Sequence, residues 1–88
     1  MEKKAFKITN ETGLHARPAT VLVNQANQYQ ADLQLHYKDK TVNLKSIMGV
    51  MSLGVAKGAE IEVSAEGSDA KEALEGIEAT LKKENIGE

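Results

Sequence analysis

Cysteine is absent from the 88 residues, which excludes disulfides, thiolate nucleophiles and thiolate metal sites together. Aromatic residues are nearly as scarce. Phe6, Tyr29 and Tyr37 are the full set, too few for the base-stacking platforms of RNA-binding sheets. No apolar run approaches the roughly 20 residues that a membrane helix needs. No signal-peptide pattern opens the chain, so a cytoplasmic location is the default expectation. Proline occurs once, at Pro18, and there is no linker, internal repeat or low-complexity stretch. The length itself implies one domain over residues 1–88, with little room for a second core.

Net charge is only −2, too small to imply nucleic acid, but it is unevenly spread. Residues 1–58 carry eight basic side chains against four acidic ones, whereas the last thirty carry three against nine. A working surface in the first part would meet acidic partners, because complementary fields steer encounter. The plain alternative is a solvated acidic terminal helix.

From Ala5 to Thr9, Phe6 and Ile8 alternate with Lys7, a half-buried strand pattern. Asn10-Glu11-Thr12-Gly13 is turn material. Pro18 marks a helix start, where its missing N–H costs nothing, and Ala19, Leu22, Val23 and Ala26 then recur on one helical face. Leu33, Leu35 and Tyr37 alternate again, Lys38-Asp39-Lys40 turns the chain, and Val42 and Leu44 continue in a third strand. Ser46 can cap a short helix containing Ile47, Val50 and Met51, stopped by Gly54. Ile61, Val63 and Ala65 make a fourth strand. Ser68 or Asp69 can cap a last helix with a stripe of Ala70, Ala73, Leu74, Ile77 and Leu81. The order is β-α-β-β-α-β-α, and alternating strands predict an antiparallel sheet covered by helices on one side.

The informative stretch is Gly13-Leu14-His15-Ala16-Arg17-Pro18. With Pro18 fixing the helix start, His15 falls at or beside the N-cap, a position usually held by Ser, Thr, Asn or Asp. There the free N–H groups of the first turn, including Ala16 and Arg17, can point at whatever the imidazole carries. Those donors and the positive end of the helix dipole favour a phosphoryl group and the neutral, nucleophilic ring. Arg17 adds a permanent cation with a forked geometry for phosphate oxygens. Phosphoryl transfer is catalysed mostly by positioning and charge stabilisation, and these groups supply both in part. A second histidine nearby, a glycine-rich nucleotide loop and a paired acidic Mg²⁺ site are all missing, so the donor and acceptor machinery is expected on other proteins. No cofactor or metal is expected. His36, between Leu35 and Tyr37, is expected to face solvent from its strand.

A second constellation is Asn43-Leu44-Lys45-Ser46-Ile47-Met48-Gly49-Val50-Met51. Ser46 reads as an N-cap and also as a phosphorylation site, where about two negative charges at a helix start are tolerated locally while reversing the sign of the nearby surface. Ile47, Met48 and Met51 cannot all point inward from so short a helix, and adaptable methionines suit a surface that meets several partners. Val50, and with it Met51, is the expected core contribution.

Gly13 to Thr20 and Lys40 to Leu53 resemble HPr, the histidine-containing phosphocarrier family of the bacterial phosphoenolpyruvate:sugar phosphotransferase system. The likeness spans essentially the whole chain, and Val42 to Leu53 resembles the low-GC Gram-positive branch; Asn24, Asn27 and His36 are less usual for it. The resemblance implies an α+β, open-faced β-sandwich: a four-stranded antiparallel sheet with three helices on one face (βαββαβα). It implies a monomeric carrier, not an enzyme in its own right, phosphorylated on His15 at Nδ1 by enzyme I and discharged to IIA domains of sugar permeases. Arg17 matches the phosphate-stabilising arginine. Ser46 matches a site modified by HPr kinase/phosphorylase and linked to a catabolite-control transcription factor and slowed sugar uptake, with no direct contact to nucleic acid. Leu14, Thr20, Ile47, Met48 and Met51 match the partner-docking surface. The alternative within this resemblance is a regulatory HPr-like protein that acts only through Ser46-dependent binding to a transcription factor; such relatives lack the active histidine that this chain keeps.

Overall fold

The computed structural model describes residues 1–88. The elements are β1 (Glu2–Lys7), α1 (Ala16–Ala26), β2 (Asp32–Tyr37), β3 (Lys40–Asn43), α2 (Ile47–Ser52), β4 (Glu60–Glu66) and α3 (Ala70–Lys83). All strand pairs are antiparallel, in the order β1-β4-β2-β3. This is the four-stranded open sheet with three helices that the sequence led us to expect. No helix is long and apolar enough to cross a membrane.

The register explains where the core sits. Phe6 lies opposite Ile61, Leu33 opposite Ala65 and Leu35 opposite Val63, so the alternating apolar residues share one sheet face. Onto that face α1 lays Ala19, Leu22, Val23 and Ala26, and α3 its whole expected stripe from Ala70 to Leu81. Leu74, Ile77 and Leu81 are all buried there. Each such side chain is worth about 1.5–3 kcal/mol over the exposed state. Asp69 occupies the N-cap position of α3, yet it does not cap. Its carboxylate instead accepts the amides of Gln30 and Ala31 at 2.9 and 2.8 Å, tying the loop before β2 to the start of α3.

The expectations for the first strand and for His36 need correction. The first strand begins at Glu2, not Ala5, because pairing with β4 continues through Lys4, Lys3 and Glu2, whose polar side chains hide the alternation. Lys4 falls on the helix-facing phase, where its ammonium reaches Glu78 of α3. The far end of β1 is finished by the chain's last residues. Lys7 exchanges backbone hydrogen bonds of 2.8 and 2.9 Å with Glu88, and Ile8 bridges Gly87. His36, expected in solvent, is half-buried on the outer sheet face. Its ring nitrogens bond Thr41 Oγ1 at 2.9 Å and Ser64 Oγ at 2.8 Å. Neighbouring strands supplied those hydroxyls, and strand phase alone could not reveal them.

Hydrogen bonds from Lys4 and then Lys82 hold the Glu78 carboxyl below its ordinary range. A group with a lowered folded pKa contributes stability above its unfolded value, and loses it as pH falls through the folded one. Glu78→Gln should therefore be less stable than the parent at pH 7. The two should converge as the medium is acidified below about pH 4, the ordinary carboxylate range. Urea midpoints at pH 7, 5 and 3 check this. A gap of constant size across that range would count against the ion-pair origin.

Candidate functional site

The segment before α1 is pinned from both sides. Gly13 donates its amide to Asn10 O at 3.0 Å, and the Leu14 amide donates to Val55 O at 2.9 Å. Gly13 has φ +65°, and a Cβ there would drive into the Val55 carbonyl oxygen and come within 2.8 Å of Ala56 Cα. Only glycine combines that backbone with so close an approach. The Leu14 side chain is 2 % exposed and lies in the core. It was expected on the docking surface, but it anchors the turn from beneath instead. Because Leu14 points inward, the next residue is turned outward.

That residue is His15. It is exposed, occupies the N-cap of α1 with extended backbone (φ −95°, ψ −163°) and makes no side-chain capping bond. Its carbonyl accepts the Ala19 amide at 2.9 Å, which closes the first helical turn. Pro18 is the third helical residue, inside the first turn as expected; the opening amides of a helix lack intrahelical partners, so its missing N–H costs nothing there. The amides of Ala16 and Arg17 have no partner in the chain. The imidazole thus stands at the positive end of an 11-residue helix beside two free N–H donors.

Arg17 is exposed and engages in no ion pair. With Pro18, Val21, Glu84 and Ile86 it lines a depression of about 210 Å³ between the start of α1 and the end of α3. Glu84 is the only carboxylate in that lining. Thr20, half-buried, donates its hydroxyl to Ala16 O at 2.8 Å. On the other side of the loop, Lys57 bonds Glu11 at 2.8 Å and draws that carboxyl below its ordinary range.

The second constellation forms α2. Ser46 is its N-cap, accepting the Gly49 amide on Oγ at 3.1 Å. Val50 is fully buried and Met51 half-buried against the core, while Ile47 and Met48 are 40 % and 84 % exposed. Lys45, just before α2, donates to Tyr29 O at 2.7 Å, near the C-terminal end of α1. Just after α2, Val55 holds Leu14. The short helix therefore spans the two ends of α1 and joins the Ser46 region to the loop that presents His15.

Sequence reasoning placed His15, Ala16, Arg17 and Ser46 where the structure has them. It missed Val55 as the partner of Gly13 and Leu14, and Glu84 and Ile86 as neighbours of Arg17. Gly13 is legible as a turn residue; that its turn packs on a segment 42 residues later leaves no local trace.

Comparison with known proteins agrees with this geometry. A family model described as the PTS HPr component phosphorylation site matches residues 2–83. A histidine-containing phosphocarrier protein from Mycoplasma is 38 % identical, covers 97 % of each chain and superposes with a TM-score of 0.93. The phosphocarrier protein HPr of Bacillus anthracis is 46 % identical over 90 % of this chain and 94 % of its own, with a TM-score of 0.85. Crh, a Bacillus subtilis catabolite-repression protein solved as a dimer with a swapped domain, is 43 % identical over 96 % of this chain and 97 % of its own, with a TM-score of 0.74.

Proposed function

The chain belongs to the PTS HPr family, and we propose that the whole of residues 1–88 works as one phosphoryl carrier, taking phosphate from phospho-enzyme I onto His15 and giving it to IIA domains of sugar permeases. One observation carries the reading. An unbonded imidazole projects from the first helix beside two free amides and an unpaired guanidinium.

In this mechanism a ring nitrogen of His15 attacks phosphorus as the bond to the donor breaks. The Ala16 and Arg17 amides and the Arg17 side chain then neutralise the oxygens of the new phosphoramidate. No further catalytic group is required of this chain, since the partner supplies the leaving group or nucleophile, so it is a substrate of other enzymes and not an enzyme itself. Exposed Ile47 and Met48, together with Met51 and Thr20, provide the docking surface in this reading, and the chain works as a cytoplasmic monomer. The test is incubation with enzyme I and phosphoenolpyruvate, followed by mass and phosphorus NMR analysis. Acid-labile phosphate on His15 supports the carrier, and its absence with active enzyme I rules it out.

Ser46 is the regulatory site of this proposal, modified by HPr kinase/phosphorylase and read by a catabolite-control transcription factor. A phosphate at the start of α2 would put about two negative charges beside Lys45 on a face that meets acidic partners. Ser46→Asp should accept phosphate from enzyme I about tenfold more slowly at low ionic strength, with the difference shrinking as salt screens it. Equal rates in low salt would remove the electrostatic account. Similarity to Crh favours a second reading, in which the chain only regulates through Ser46. That reading predicts no phosphate on His15 after incubation with active enzyme I and phosphoenolpyruvate, whereas the carrier predicts phosphate there.

A further inference from the structure

We propose that Met48 is an oxidation-sensitive site, whose conversion to the sulfoxide slows docking of the phosphoryl donor; this inference rests on the carrier reading above. In a chain without cysteine, the thioethers of Met1, Met48 and Met51 are the only sulfur available to oxidants. Their settings differ. Met48 is 84 % exposed, the most exposed large apolar side chain of the protein, whereas Met51 is half-buried against the core. Met1 is 73 % exposed, but it lines a depression with Asp32, Gln34, Asn43, Lys45 and Ser64 and is not part of α2.

The exposure of Met48 follows from the build of α2. The helix has only six residues, and Val50 is its one fully buried side chain. Met48, two residues before Val50 on the helix, is turned away from the core. Nothing in the fold shelters this side chain, so a partner seated on α2 would be the first apolar surface it meets. Next to it stands Ile47, 40 % exposed, and at the helix start Ser46. A change of polarity at Met48 therefore falls on docking and leaves folding aside.

A two-electron oxidant such as hypochlorous acid supplies the chemistry. Sulfur attacks the HOCl and is oxidised by two electrons, chloride leaves with the electron pair, and after loss of a proton the thioether is a sulfoxide. Overall, R–S–CH₃ and HOCl give R–S(O)–CH₃, H⁺ and Cl⁻. The product exchanges an adaptable apolar group for a strong acceptor that must shed water on docking. With a typical desolvation cost for a poorly paired polar group, the phosphorylation rate should fall about fivefold. A sulfoxide reductase reverses the modification.

The experiment treats the full chain with limiting hypochlorous acid, maps added oxygen by peptide mass, and measures the initial rate of phosphorylation by phospho-enzyme I. Met48 should be oxidised before Met51, and the ratio of untreated to treated rate should reach about five. In Met48→Leu the same ratio should stay near one, whatever that variant's starting rate, although Met1 is still oxidised. Reductase treatment should restore the wild-type rate. The inference is overturned if wild type with fully oxidised Met48 is phosphorylated at its untreated rate, or if Met48→Leu loses as much as wild type. Failure of untreated wild type to accept phosphate would be a different result, overturning the carrier reading itself.

Discussion

His15→Ala is expected to abolish phosphate acceptance from enzyme I while leaving the fold intact. The two effects separate because of where the imidazole stands. It makes no capping bond and no core contact, so its removal leaves no cavity and no orphaned partner. Exposed substitutions of that kind change stability by no more than about 0.5 kcal/mol. The thermal midpoint should therefore stay within about 4 °C of wild type. The chemical loss is total, because the remaining histidine, His36, sits on the far side of the sheet with both ring nitrogens bonded to hydroxyls. Mass analysis after exposure to phospho-enzyme I, paired with a melting curve, reads both quantities. Residual acid-labile phosphate on the variant would mean that another group is the acceptor.

Gly13→Ala should have the largest effect on stability, and it can be dissected with an internal control. Gly13 and Gly54 have nearly the same left-handed backbone, φ +65° and +63°. Around Gly54 a Cβ would meet nothing within 4 Å, whereas at Gly13 it would collide with the backbone of Val55 and Ala56. Gly54→Ala should therefore cost about 1–2 kcal/mol, the strain of a left-handed alanine alone. Gly13→Ala adds to that strain a clash against backbone that cannot swing aside, and should cost about 3 kcal/mol or more. Denaturant midpoints of the two variants give the difference. Relief of the clash would push the Leu14–Val55 contact apart, so the surviving folded fraction of Gly13→Ala should also be phosphorylated more slowly, while Gly54→Ala keeps its rate per folded molecule. Equal destabilisation by the two alanines would show that the approach to Val55 imposes no constraint.

How much of this was legible in the chain depended on the range of the interactions. Helix stripes in α1 and α3 and alternation in β2 and β4 are local periodicities, and they translated directly into buried faces. The start of β1 did not, because the pairing of Glu2 to Lys4 is fixed by β4 and not by their own side chains. Leu14 illustrates the same point within the site. Flanked by glycine and histidine in a loop, it reads as an exposed apolar residue, and only the hydrogen bond to Val55 and the packing beneath it turn it into an anchor.

By itself the sequence determined which residues could do chemistry here: one histidine at a helix start, an arginine two places on, a capping serine and no thiol. These follow from residue type and from spacings of a few positions, where the backbone alone sets geometry. The tertiary structure decided everything that needed two distant segments to meet. It set Val55 against Gly13, Glu84 and Ile86 around Arg17, and the last residues along β1. Such contacts are chosen by packing of the assembled core, which no short stretch of chain encodes.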